Sequence, residues 1–176
     1  MCTYTDEQLA ALVQCPKQIV DPPALKMKPD RGSKRNGMTL QSQDGNHRFR
    51  VFMRQSEDFE EDFSIGLGYL PKDASGSFCL LRCNGKHGGH QAHPHHLSFH
   101  VHRVIADDVN NGNNQERHVE VTTEYASYRD GLAYFLKLIN LILSQEESNR
   151  YFPSLLQQTL FDGLDSPLTE SSNEST

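Results

Sequence analysis

The 176-residue chain contains no tryptophan, and its four cysteines include no Cys-x-x-Cys pair. Without that spacing a thiolate metal site is disfavoured, and we expect reduced thiols of a cytoplasmic protein. No apolar run approaches the roughly 20 residues that a membrane-spanning helix needs. The first residues have neither a basic start nor a long apolar stretch, so we expect no signal peptide and no contact with a membrane.

Two familiar catalytic motifs are absent as well. The chain has no His-Glu-x-x-His sequence, which places two zinc ligands on a helix, and no glycine-rich P-loop that cradles phosphates. Any metal or phosphate site must therefore be built in another way.

Charge is distributed unevenly along the chain, whose net charge is -6. Residues 57–62 and the segment after Phe161 are acidic, whereas residues 26–54 carry eight basic and two acidic side chains. The basic segment predicts either phosphate contacts or a solvated strand edge. The acidic segments suit either solubilisation or the occupation of a basic groove on a protein partner.

The apolar pattern predicts an α+β fold. Thr5 and Gln8 form a capping box for an N-terminal helix, and Ser127 caps a longer helix over Tyr128–Ser144. We expect a single two-layer domain in which a mostly antiparallel sheet of about six strands packs against this long C-terminal helix. Alternating apolar residues place the strands at 38–43, 47–54, 63–70, 78–83, 97–105 and 117–123.

Composition divides the chain into three segments. Residues 1–37 hold the N-terminal helix and a basic arm rich in proline and glycine, and residues 38–145 form the α+β core with the histidine site. Residues 146–176 hold a short helix over 151–161 and an acidic disordered tail. Loops and turns are predicted at 21–37, 44–45 and 107–115.

Histidine is concentrated in one stretch, because seven of the nine histidines lie within residues 87–102. Strand periodicity places His100 and His102 on one face, with Cβ atoms about 7 Å apart. Both imidazoles can therefore reach one cation. The other histidines of the stretch include His93, His95 and His96, which we interpret as surface residues of a loop.

This pair predicts a divalent metal site, with zinc expected first and manganese or nickel as alternatives. His87 or His90, from the preceding glycine-rich loop, is the expected third ligand. Glu120 or His118, on the next strand, is the expected fourth ligand or general base. A water molecule in the open coordination position would then be the nucleophile.

The same histidines also suit a mechanism without a metal. His100 and His102 could act as acid and base in phosphodiester cleavage, with the 2′-hydroxyl of RNA as the nucleophile. The side chains expected to hold phosphate or stabilise the developing anion are Arg48, Arg50, Arg54, Arg82 and Arg103.

Two resemblances concern these motifs. Ser98-Phe-His100-Val-His102 resembles the start of the histidine-triad signature, His-φ-His-φ-His-φ-φ, with Ser98 in place of the first histidine. The layout also resembles small bacterial families of unknown function, in which Gly-x-His precedes His-x-His; here these are Gly85-Lys-His87 and His100-Val-His102. Related toxin-like families occur in toxin–antitoxin loci. This resemblance implies a nuclease and an antitoxin-like partner.

Two functions follow from the sequence. The first is a His-dependent or metal-dependent phosphodiester hydrolase acting on RNA or another nucleic acid, such as a ribonuclease-like toxin or defence component. The second is a non-catalytic metal-binding or protein-interaction module, such as an adaptor or inhibitor of a bacterial or phage system. Nuclease activity favours the first, and a stoichiometric protein partner recovered without nuclease activity favours the second.

Overall fold

The computed structural model describes residues 3–72, 76–87, 94–113 and 117–156. Its strands are β1 (Lys17–Asp21), β2 (Lys28–Asp30), β3 (Ser33–Ser42), β4 (Arg48–Ser56), β5 (Phe63–Leu70), β6 (Phe78–Asn84), β7 (His100–Arg103) and β8 (Val119–Val121). They form one sheet in the order β1-β3-β4-β5-β6-β7-β8, and β2 pairs with β3 beside β1. Every one of these strand pairs is antiparallel.

Five α-helices and one 3₁₀ helix complete the described residues. The α-helices are α1 (Asp6–Gln14), α2 (Ala106–Asn111), α3 (Tyr128–Leu138), α4 (Gln145–Tyr151) and α5 (Pro153–Leu156), and the 3₁₀ helix is Pro94–Leu97. Thr5 forms the predicted capping box of α1 with Gln8, and Ser127 caps α3. Across the described ranges, no helix combines the length and the apolar character that a bilayer crossing requires.

The predicted α+β class and the mostly antiparallel sheet are confirmed, but the sheet has eight strands rather than six. The extra strands lie where the sequence has no apolar alternation. The segment 21–37, predicted to be a loop, contains β2 and the start of β3. Pairing of Ser33–Asn36 with the end of β4 extends β3 through the exposed side chains of Lys34 and Arg35. Backbone hydrogen bonds, not hydrophobic burial, therefore define this part of the sheet.

The C-terminal helix is shorter than predicted. Helix α3 ends at Leu138, and Asn140 adopts a left-handed conformation with φ of 52°. Leu141 then forms a bridge with Lys17 of β1, and Ile142 donates its backbone N–H to the Lys17 carbonyl oxygen at 2.9 Å. The apolar residues after 138 continue the helical period in sequence, but the chain uses them to cover the edge of the sheet.

Smaller differences occur around the predicted turns. The Asp44-Gly45 turn is confirmed, with Gly45 at a φ of 75°. The polar turn predicted at 107–115 contains helix α2, and the strand predicted over 97–105 is only four residues long. The helix predicted over 151–161 lies partly outside the described residues, which end in α5.

The sheet has two different faces because side chains alternate along each strand. The core face carries the large apolar residues, which include Leu40, Phe49, Val51, Ile65, Leu67, Leu81 and Val101. Leu9 and Leu12 of α1 and Phe135 of α3 belong to the same buried cluster. We call the opposite side the open face; it carries Arg50, Phe52, Arg54, Ser64, Arg82, Asn84, His100 and His102.

Lys17 connects helices α1 and α3 to the sheet. Its side chain is fully buried, and its ammonium lies 4.7 Å from the ring centroid of Phe49. Burial lowers the pKa of Lys17. The Nζ group donates to three carbonyl oxygens at the ends of α1 and α3, those of Val13 (2.8 Å), Cys15 (2.8 Å) and Ile139 (3.1 Å). Lys17 thus satisfies acceptors that a helix end leaves without intrahelical partners.

Replacing Lys17 with methionine, which has a similar length, should leave these carbonyls without a donor. We expect Lys17→Met to lower the free energy of unfolding by about 2–4 kcal/mol, measured by urea denaturation and circular dichroism. Lys72→Met, at an exposed turn position, should change it by less than about 0.5 kcal/mol. Equal losses in the two variants would contradict this role for Lys17.

Candidate metal centre

The pairing of β6 with β7 positions the two histidines that the sequence singled out. Asn84 is opposite His100 and Arg82 is opposite His102 in the antiparallel register. Cross-strand neighbours share a face, so these four side chains lie together on the open face. On the core face, the Tyr125 hydroxyl lies 2.8 Å from the carbonyl oxygen of His100 and 3.1 Å from that of Asn84. Both strands are therefore tied together at the position where the site is built.

The chain before β7 folds back over this pair of strands. The 3₁₀ helix Pro94–Leu97 is held by a hydrogen bond of 2.9 Å from the His87 amide to the His96 carbonyl oxygen. A second bond of 3.0 Å joins the Ser98 amide to the His95 carbonyl oxygen. Because of this turn, His95 lies against the two histidines of β7.

His95, His100 and His102 form a group that could hold a metal ion. Ring nitrogens of the three side chains lie within 4.8 Å of one another. The ring centroid of His100 lies 5.0 Å from the centroid of His95 and 5.0 Å from that of His102. The centroids of His95 and His102 are 5.9 Å apart. Zinc–nitrogen bonds of about 2.0–2.1 Å in a tetrahedral site place the nitrogens about 3.4 Å apart. His95 is the least buried of the three side chains.

Hydrogen bonds define which nitrogen of His100 carries the proton. Its Nδ1 lies 2.8 Å from the Ser98 carbonyl oxygen, which can only accept, so Nδ1 carries the proton. The lone pair is then on Nε2, which accepts a hydrogen bond of 3.2 Å from the Asn84 Nδ2 group, so a metal at Nε2 would displace this amide. The Ser64 hydroxyl donates to the Asn84 Oδ1 at 2.7 Å and so orients that amide toward His100. An imidazole whose Nδ1–H is bound to a backbone carbonyl is the usual arrangement of a metal-ligating histidine.

Burial favours the neutral form of His100 and His87. His100 is fully buried and His102 is 7% exposed. Desolvation, reinforced by the neighbouring histidines His102, His87 and His95, lowers the pKa of His100 to about 4. Desolvation also lowers the pKa of His87, although Asp62 opposes the shift. A metal binds the neutral imidazole, so at pH 7 His100 is already in the required form.

Of the two loop histidines predicted as third ligand, one lies beside the three histidines and the other falls outside the described residues. His87 lies beside the group, with its ring centroid 4.2 Å from His96 and 5.2 Å from His100, whereas His95 completes the close set of three. His90, the other predicted loop ligand, lies outside the described residues, as does His93.

The acidic residue expected at the site is on the wrong face of the sheet. Glu120 pairs with Val101, whose side chain is in the core, so Glu120 projects toward the helix side and away from His100. The Nε2 atom of the alternative, His118, lies 3.2 Å from a carboxylate oxygen of the buried Asp108. The two-residue period of β8 alone does not reveal which of its faces meets the histidines, since that depends on the pairing register.

Most of the predicted phosphate-binding arginines lie on the open face. Arg54 and Arg82 line a cleft of about 330 Å³ beside the histidines, together with Asn84 and His87. Arg50 lines an adjoining groove of about 840 Å³, and Arg48 lies farther along β4, opposite Leu70. The prediction that Arg103 contacts phosphate on this face is wrong. Arg103 pairs with Leu81 and therefore lies on the core face.

Several contributors were not recognised in the sequence. His95 was interpreted as a surface residue, and Asn84, Tyr125 and Arg35 were not assigned to the site. Arg35 of β3 is opposite Arg54 of β4, and Arg35 lines both the cleft and the groove. The density of histidines was the only signal that pointed to His95, because no periodic pattern relates a 3₁₀ turn to a strand.

Comparisons with models of known protein families, with curated proteins and with solved structures return no match to this chain.

The burial of neutral His100 predicts a pH dependence of stability in the metal-free protein. Its folded-state pKa lies below the ordinary value of about 6.5, so the unfolded chain takes up the proton first as the pH falls. The free energy of unfolding should therefore decrease between about pH 6.5 and 4, by on the order of 2 kcal/mol. Urea denaturation across this range measures the change.

His100→Gln should flatten that profile, since glutamine does not titrate. His47→Gln, in the loop before β4, should retain it. A wild-type profile that is level between pH 6.5 and 4 would show that His100 is not held neutral by the fold.

Proposed function

We propose that this protein is a divalent-metal-dependent phosphodiester hydrolase in which His95, His100 and His102 bind the metal. The observation that carries the proposal is the set of three imidazoles whose ring nitrogens lie within 4.8 Å of one another. Three histidines and an open position form one of the recurring catalytic zinc sites. Zinc is the metal we expect, and manganese and nickel are the alternatives, because imidazole suits several divalent ions.

The surroundings of the three histidines favour hydrolysis of an anionic substrate. Arg54 and Arg82 line the cleft beside them, and guanidinium groups hold phosphate oxygens and stabilise charge that develops at phosphorus. A metal at the histidines would lower the pKa of a bound water to about 7 and so supply hydroxide. In the proposed hydrolysis, hydroxide would form a bond to phosphorus while the bond to the leaving oxygen breaks, and water would supply the proton that converts the leaving oxygen into an alcohol.

Metal content tests the first half of the proposal. Protein produced without a histidine tag, and not exposed to a nickel column, should contain one equivalent of zinc by elemental analysis. His100→Ala/His102→Ala and His95→Ala should each lose this metal. Glu120→Gln should retain it, because Glu120 faces the other side of the sheet. Retention of full metal by the double variant would contradict the site.

Phosphodiesterase activity tests the second half. The zinc-loaded protein should hydrolyse bis(4-nitrophenyl) phosphate and RNA, and a chelator should remove the activity. Arg82→Gln should lower the rate by about 10- to 100-fold while the metal remains bound, whereas Arg103→Gln should not. Stoichiometric metal without hydrolysis of either substrate would refute catalysis and favour the alternative, a metal-binding interaction module.

A further inference from the structure

Phe52 is an aromatic residue on the face of the sheet that does not form the core. Its ring lies over Gly66 of the neighbouring strand, and a side chain at Gly66 would collide with it. The guanidinium of Arg82 lies 5.7 Å from the centre of the same ring. Phe52 is only half-buried in this position. The fold thus holds an aromatic ring among polar side chains, where burial in the core cannot account for it.

The ring stands between two concave surfaces that both contain arginine. On one side is the cleft with Arg82, and on the other is the groove with Arg50; Phe52, Arg35 and Arg54 line both. The Arg54 side chain is fixed by Asp62 at 3.0 Å and by the Ser33 hydroxyl at 3.1 Å. Arg50 forms no ion pair with any residue that the structure describes. Its side chain is exposed, so a ligand can reach its charge.

An aromatic ring flanked by guanidinium groups suits a particular ligand chemistry. Bases of single-stranded nucleic acid stack on aromatic side chains, while the phosphates between them contact basic residues. A base in a duplex has its faces covered by its neighbours and cannot stack on a protein ring. The cleft, at about 330 Å³, is at the lower end of the size of small-ligand sites. It therefore suits one nucleotide unit rather than a double helix.

We propose that single-stranded nucleic acid binds across the open face, with one base stacked on Phe52. Its phosphates contact Arg50 on the groove side and Arg54 with Arg82 on the cleft side. The path from β3 to β7 covers four strand spacings, about 19 Å, and ends at the three histidines. This names the substrate class of the proposed hydrolase and rests on it for cleavage, whereas binding itself requires no metal.

The absence of tryptophan from the chain allows a direct test of stacking. In Phe52→Trp the new indole is the only one, so its fluorescence reports on that position alone. Titration of this variant with a 12-nucleotide single-stranded RNA, in the presence of a chelator, should quench the emission and reach saturation. The matched control is Phe59→Trp, whose position is 72% exposed and outside both the cleft and the groove. Its emission should not change.

Fluorescence anisotropy of labelled strands gives a second test on separate variants. Phe52→Leu should weaken binding by about tenfold, and Phe52→Tyr should retain it, because tyrosine also stacks. Arg50→Gln should reduce the slope of the logarithm of affinity against the logarithm of salt by about 0.7, the value for one phosphate contact with a single strand. Arg103→Gln, on the core face, should leave the slope unchanged.

Each outcome decides the proposal or refines it. Equal binding of RNA and DNA strands supports recognition through base and phosphate, and preference for RNA supports an added contact with the 2′-hydroxyl. Duplex binding as tight as single-strand binding would overturn the proposal. So would the absence of binding to the wild-type protein at about 0.1 mM, the weak limit of non-specific association. Since these measurements use metal-free protein, loss of the metal site would refute the hydrolase but not strand binding.

Discussion

The antiparallel pairing of β6 with β7 is the constraint on which the site depends. Cys83 and Val101 are partners in this register and both are buried in the core, which fixes the direction of every neighbouring side chain. A shift of one residue would turn His100 and His102 toward the core face. Tyr125 reinforces the register because its hydroxyl reaches backbone carbonyls of both strands. Hydrophobic packing on one face thereby determines the chemistry available on the other.

The chemistry itself follows from burying imidazoles beside arginines. Protonation of His100 and His87 is disfavoured by desolvation, by their histidine neighbours and, for His87, by the nearby guanidinium groups of Arg54 and Arg82. Neutral nitrogen donors therefore lie next to fixed positive charge. This combination suits a cation at the histidines and an anion in the cleft, the arrangement that the proposed metal-dependent hydrolysis of a phosphate ester would use. Phe52 adds an apolar surface to the cleft that Arg54 and Arg82 line.

The sequence predicted those features that depend on local pattern. Helix caps at Thr5 and Ser127 follow from short-range hydrogen bonding, and two-residue alternation correctly placed His100 and His102 on the side opposite Val101. Features that depend on pairing between distant segments were missed or wrong. Glu120 was assigned to the site because register is not visible in one strand, and His95 was discounted because its position results from a turn that folds back over β7.

Coordination by His95, His100 and His102 is the central claim, and X-ray absorption at the zinc edge of the untagged protein tests it most directly. We predict about three imidazole nitrogens at 2.0–2.1 Å, with outer scattering from the imidazole rings and one further light ligand. The His95→Ala protein should lose this signal. A zinc environment with sulfur at about 2.3 Å, or with water and carboxylate oxygen alone, would contradict the three-histidine site.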